Sequence, residues 1–189
     1  MVDSELSFVD REGETLIKTS GQVAGRDFVL ARLKDCTVFI ADTCGAVRAD
    51  RLENCKVYIG PTRSLLVEKL DATTLAVAAQ QLRIHSATDC DFHVRMRSGP
   101  IIEHSTKVRF APYSFSYPAL ATHLLAFGLG TENGVWCKVE DFNWLRARQS
   151  PNWSIMDESA RPALVVAPVA AGGGAGGEPG TEIADDDEM

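Results

Sequence analysis

The chain has 189 residues, of which 45% are hydrophobic, 24% charged and 7% aromatic. These values are ordinary for a globular protein and exclude collagen-like, wholly disordered and disulfide-scaffold classes. The formal net charge of −7, from 19 basic and 26 acidic residues, argues against a protein that binds DNA or RNA through a basic surface.

The N-terminal residues show no targeting or membrane signal. No stretch of the chain reaches the roughly 18 apolar residues of a membrane span, and residues 1–20 lack the apolar segment of a signal peptide. Residue 2 is Val rather than Gly, so the sequence as written predicts no N-myristoylation. We therefore expect a cytosolic protein and interpret residues 1–19 as a lead before the folded domain.

The segment between Gln22 and Phe110 alternates apolar and polar residues with a period of two, which is typical of half-buried strands. Five such strands recur with their centres at positions 38, 57, 75, 92 and 108, so the steps are 19, 18, 17 and 16 residues. An antiparallel sandwich would not require the same residue classes to return at a coil-length interval. The repeat therefore predicts an all-β protein, a parallel β-helix of about five coils.

The alternation stops after Phe110. The sequence then predicts a short helix over Ala119–Phe127, and all three tryptophans follow it, at positions 136, 144 and 153. We expect this aromatic segment to cap the β-helix, which places the domain at residues 20–157. Residues 158–189 are rich in Gly, Pro and acidic residues and are predicted to be a disordered tail.

The cysteines and glycines carry no recognisable catalytic motif. Cys36, Cys55 and Cys90 share one inward position of the repeat, as buried structural thiols do. The chain has no C-x-x-C pair, no zinc-finger spacing and neither of the common glycine-rich nucleotide motifs. The sequence therefore predicts no metal site and no nucleotide site of its own.

A polar row lies on one predicted strand. If Leu82 and Ile84 point inward, then Gln81, Arg83 and His85 point outward together. Solvated polar residues are ordinary on the outside of a β-helix, so parity alone leaves open whether this row has a function. Residues 81–110 are modestly basic, with five Lys or Arg against three acidic residues, which favours an acidic partner.

Several motifs together resemble the tubulin-binding cofactor C family, whose C-terminal domain is shared with the X-linked retinitis pigmentosa GTPase-activating protein and cyclase-associated protein. The resemblance covers about residues 21–156 and implies a right-handed parallel β-helix with a C-terminal extension. The motifs are Gln80-Gln81-Leu82-Arg83, Pro100-Ile101-Ile102-Glu103, Phe110-Ala111-Pro112-Tyr113, Asp141-Phe142 and Ser150-Pro151-Asn152-Trp153-Ser154-Ile155.

The resemblance implies a GTPase-activating role through an arginine finger. Arg83 matches the family arginine that enters the nucleotide site of a bound GTPase, and Gln81 matches a supporting position. Glu103 and Phe142 match positions that contact the GTPase. The partner supplies GTP and Mg²⁺, so no cofactor of the chain's own is expected.

The particular residues found in these motifs favour tubulin among the possible partners. The resemblance then implies action on β-tubulin within the αβ-dimer, together with other tubulin-folding cofactors, in the cytoplasm and at the cytoskeleton. One alternative is an activator of an Arf-like small GTPase. A second is a non-catalytic scaffold that binds cytoskeletal protein.

Overall fold

The computed structural model describes residues 4–168, and the strands of this region pair in parallel. The helical elements are α1 (Leu120–Ala126) and three single 3-10 turns at Ser4–Leu6, Val135–Cys137 and Glu158–Ala160. The strands are β1 (Ser7–Glu12), β2 (Thr15–Lys18), β3 (Phe28–Lys34), β4 (Thr37–Ile40), β5 (Cys44–Glu53), β6 (Lys56–Asp71), β7 (Thr74–Met96), β8 (Ile101–Glu103), β9 (Thr106–Pro112), β10 (Phe115–Ser116), β11 (Glu140–Asp141), β12 (Trp153–Ile155) and β13 (Val165–Val166).

The strands stack into a β-solenoid of about six turns. One sheet face runs in the order β1-β3-β5-β6-β7-β8-β11, and the other includes the pairs β2 with β4, β4 with β6, and β9 with β12. Thr37 lies opposite Lys56, and Lys56 lies opposite Thr74, so one turn takes 18 or 19 residues here. The predicted parallel β-helix is confirmed, and its inward side chains form one continuous core.

The structure has about six turns where the sequence predicted about five coils. The additional turn is formed by residues that the sequence analysis had interpreted as a lead before the domain. β1 pairs in parallel with β3, and β2 pairs with β4, so these residues begin the solenoid. Phe8 packs edge-on against Phe28 with ring centroids 5.3 Å apart, and Leu16 is buried. The solenoid therefore begins before residue 20. Its first turn buries too few apolar side chains to repeat the pattern of the other turns.

The last step of the predicted repeat is also two residues longer than expected. Phe92 lies opposite Phe110, not Val108, and Cys90 takes the place opposite Val108. The Phe92 and Phe110 rings stack with centroids 5.7 Å apart. A shift of two residues preserves the inward and outward assignment of every side chain, because the period of a strand is two.

One small polar side chain closes the inner corner of each of five successive turns, and we call this set the corner ladder. It consists of Cys36, Cys55, Thr73, Cys90 and Ser105. Each donates its S–H or O–H to the carbonyl oxygen two residues earlier, at 3.2 Å for the thiols and 2.8 Å for the hydroxyls. The cysteines are thus structural, as predicted, and burial raises the pKa of Cys90 to about 11.

The residue before each member of the corner ladder adopts a left-handed backbone. These residues are Asp35, Asn54, Ala72, Asp89 and His104, with φ between 45° and 53°. None is glycine, although this region costs most other residues free energy. The repeated left-handed residue turns the chain from one face of the solenoid to the other.

The C-terminal extension packs on the outside of the solenoid and closes its last turn. The predicted helix is confirmed as α1, and Trp153 in β12 lies edge-on against Phe110. β13 pairs with β10, so residues 165–166 of the predicted tail form a strand. Glu158–Ala160 of the same predicted tail form a 3-10 turn, and residues 169–189 of the tail lie outside the described residues. Within residues 4–168, no helix is long and apolar enough to cross a membrane.

Candidate protein interface on the outer face

Arg83 lies on the outer face of β7, where alternation places it between two buried neighbours. Leu82 and Ile84 are 2% and 1% exposed and fill the core, while Arg83 is exposed. On the adjacent strands its partners are Leu66 in β6 and Ile101 in β8. Two shallow depressions flank Arg83, one towards His85 and Glu103 and one towards Gln81 and Gly99.

No ion pair or hydrogen bond within residues 4–168 engages the Arg83 guanidinium. Its neighbours across the strands are apolar, and Leu66 is 39% exposed. The carboxylate of Glu68, two residues beyond Leu66 on β6, pairs with Arg48 at 2.5 Å. An arginine with an apolar flank and no internal partner keeps its full charge and donors for another molecule.

The structure brings the other three predicted site residues to the same face. Gln81 is exposed two residues before Arg83 on β7. Glu103 in β8 lies opposite His85 and is half-buried. Phe142 follows β11, its N–H donates to the Ile102 carbonyl at 3.0 Å, and its side chain is 44% exposed.

A hydrogen-bond network around Asp141 fixes the position of Phe142. One carboxylate oxygen of Asp141 accepts the Ser150 hydroxyl at 2.6 Å and the Asn152 amide at 2.8 Å. The other accepts the Asn143 N–H at 3.0 Å, and the Asn143 side chain in turn accepts the His104 N–H at 2.6 Å. These motif residues therefore hold the extension against β8.

Gly99 allows the extension to approach the start of β8. A Cβ atom at this position would collide with the carbonyl oxygen of Lys138. Gln80, another motif residue, donates from its side chain to the Phe127 carbonyl at 2.9 Å and so ties β7 to the end of α1. Both residues support the interface without belonging to its exposed surface.

The sequence analysis did not single out Leu66 as part of this surface. The signal was present, because alternation with buried Leu65 and Val67 turns Leu66 outward. His85 also lies here, with its ring 5.2 Å from that of His104 in an edge-on contact. Within residues 4–168, no group of three or more His, Cys, Asp or Glu side chains is arranged to hold a metal ion.

Comparison with known proteins identifies the family. The family model described as "Tubulin binding cofactor C" matches residues 25–142, more than half of the chain. The chain belongs to the tubulin-binding cofactor C family.

Curated members of this family match over most of the chain. Tubulin-folding cofactor C of Arabidopsis thaliana is 42% identical over 157 residues, which is 82% of this chain and 46% of the relative. Tubulin-specific chaperone C of Homo sapiens is 37% identical over 156 residues, which is 82% of this chain and 45% of the relative. This cofactor C family chain thus spans about half the length of these relatives.

A solved structure confirms the fold. Tubulin Binding Cofactor C from Leishmania major superposes with a TM-score of 0.51 at 23% identity, covering 82% of this chain and 93% of that one. At this identity the likeness speaks for the fold alone. It agrees with the parallel solenoid that the strand register defines.

Proposed function

We propose that this cofactor C family chain activates GTP hydrolysis by β-tubulin during tubulin folding, with Arg83 acting in trans as an arginine finger. The observation that carries the proposal is the exposed, unpaired guanidinium of Arg83 on the outer face. A planar, permanently charged guanidinium stabilises the negative charge that develops on the phosphoryl oxygens in the transition state. Relatives that match 82% of the chain are named as tubulin-folding and tubulin-specific proteins.

The surrounding residues take supporting roles in this proposal. Gln81 shapes the surface beside the finger, while Glu103 and Phe142 contact the GTPase on the turns that follow. GTP and Mg²⁺ are held by the partner. The apolar flank of Leu66 and Ile101 favours the transfer of Arg83 into a water-excluded nucleotide site, because no internal carboxylate must first be displaced. The proposed setting is the cytoplasm, with αβ-tubulin and other folding cofactors.

Single-turnover GTP hydrolysis by αβ-tubulin tests the proposal, with and without the companion cofactors. We compare the natural chain with Arg83→Ala, Arg83→Lys and the control Arg63→Ala, since Arg63 is another exposed arginine on the solenoid. The natural chain and the control should accelerate hydrolysis, and both Arg83 variants should lose that acceleration. Arginine fingers contribute about 10³–10⁵-fold in other GTPases. Pull-down should show that Arg83→Ala still binds tubulin.

Three results would contradict parts of the proposal. Equal acceleration by Arg83→Ala would exclude the finger. Acceleration of an Arf-like small GTPase but not of tubulin would replace the partner and keep the mechanism. Binding to tubulin with no acceleration by the natural chain would favour a scaffold.

A further inference from the structure

A loop beside Phe142 on the outer face of the solenoid contains Trp144, and we call residues 143–149 the Trp144 loop. It leaves the end of β11 and returns at Ser150, and both of its ends are tied to the carboxylate of Asp141. The backbone N–H of Trp144 also donates to the Asp141 carbonyl at 3.0 Å. The loop therefore projects from a fixed base beside Phe142.

Two arginines of the loop are arranged around one indole ring. The guanidinium carbons of Arg146 and Arg148 lie 5.1 Å and 5.4 Å from the ring centroid of Trp144. The indole N–H donates to the Arg148 carbonyl at 2.8 Å, which closes the loop. No carboxylate within residues 4–168 pairs with either guanidinium. Cation–π contact orients these two charges before any partner arrives.

The loop also presents an apolar side chain to solvent. Leu145, between Trp144 and Arg146, is 94% exposed, the largest exposed fraction among the exposed large hydrophobic residues of the described chain. Residues 143–149 hold two arginines and no acidic residue, although the whole chain has a net charge of −7. An exposed leucine beside two organised cations has no role in the packing of this chain.

We propose that the Trp144 loop binds an acidic peptide segment of a partner protein. One carboxylate pairs with each guanidinium, and an apolar side chain of the peptide packs on Leu145. Arginine pairs carboxylates in a bidentate manner, and guanidinium groups already held on the indole lose little further freedom on binding. A nucleic acid fits less well, because the rest of the chain is acidic and would repel it. This inference does not depend on GTPase activation.

Fluorescence anisotropy with a labelled peptide of alternating glutamate and glycine and one central leucine tests the proposal at low salt. Three variants of the full chain are compared: Arg146→Gln with Arg148→Gln, Leu145→Ser, and the control Lys56→Gln with Arg63→Gln, which removes two exposed cations elsewhere. We expect Kd to rise about tenfold for the loop double variant and about fivefold for Leu145→Ser. The control should stay within about twofold, and circular dichroism should match the natural chain for all three.

The same peptide with glutamine in place of glutamate should bind at least about tenfold more weakly, because it cannot pair with the guanidinium groups. The proposal is overturned if both peptides bind equally, if the loop and control variants behave alike, or if no binding occurs below about 1 mM. A chain ending at Pro168 lacks the acidic residues between 178 and 188. If it binds about tenfold more tightly than the full chain, the loop's occupant is the chain's own C-terminus and not a partner.

Discussion

Replacing Thr73 by Val tests the corner ladder at one of its two members, Thr73 and Ser105, whose hydroxyl makes two hydrogen bonds. The Thr73 hydroxyl donates to the Asp71 carbonyl at 2.8 Å and accepts the Cys55 N–H at 3.2 Å, and the residue is 2% exposed. The Asp71 carbonyl keeps a second donor, the Asn54 N–H at 3.1 Å. Valine would thus leave the buried Cys55 N–H unpaired, at a cost of about 1–3 kcal/mol, and weaken the bonding of Asp71 by about 0.5–1 kcal/mol.

We therefore expect Thr73→Val to lower the free energy of unfolding by about 1.5–4 kcal/mol. Thr73→Ser is the matched control, because it keeps the hydroxyl and loses one methyl group, at about 1 kcal/mol. Urea unfolding followed by circular dichroism at pH 7 measures both. If Thr73→Val is no less stable than Thr73→Ser, the hydroxyl does not close the corner as we argue.

Three further predictions concern single positions. Ala72 has φ 45°, so Ala72→Gly should raise the free energy of unfolding by about 0.5 kcal/mol through relief of strain. The control Ala46→Gly, on the exposed side of β5, should lower the free energy of unfolding. If both variants change it in the same direction, the strain argument is refuted. Burial lowers the pKa of His93, so stability should fall as pH drops below about 6.5, where the histidine of the unfolded chain gains a proton before that of the folded chain. The free energy of unfolding of His93→Gln should depend less on pH. An unchanged pH dependence in this variant would exclude His93 as the cause. Leu66→Glu would place a carboxylate about 5 Å from the strand of Arg83. Pairing of the two charges, at about 1–3 kcal/mol, should reduce GTPase activation about tenfold. The control Leu66→Gln should retain activity, and an equal loss of activity in both variants would attribute the effect to the missing leucine.

Most of the solenoid could be predicted because its alternation is local. Inward Val, Ile, Leu and Cys recur in every central turn, so parity alone assigned Arg83 to the outside. The first turn was missed because β1 and β2 contribute few fully buried side chains, among them Leu16. The Phe92 step was missed because period-two alternation cannot distinguish a shift of two residues.

The assembly of the interface could not be predicted from spacing alone. Phe142 lies beside β8 because β11 pairs with β8, and the Asp141 network with Ser150 and Asn152 supports that pairing. Such long-range hydrogen bonds leave no periodic trace. The motif resemblance grouped these residues without indicating that several of them are structural. Leu66 was missed for a different reason, because an outward leucine carries no chemical signature.

The parallel stacking of the turns fixes the distances between the proposed contact residues on the outer face. Arg83 lies on one turn, Glu103 on the next, and Phe142 follows β11, the strand after that. Strand spacing alone, about 4.8 Å per turn, separates these contacts along the solenoid axis. A whole turn added before β3 would lengthen the rod without changing these separations. A whole turn inserted between β7 and β8 would move Phe142 about 4.8 Å further from Arg83, so the spacing of the partner's contacts limits where the rod can grow.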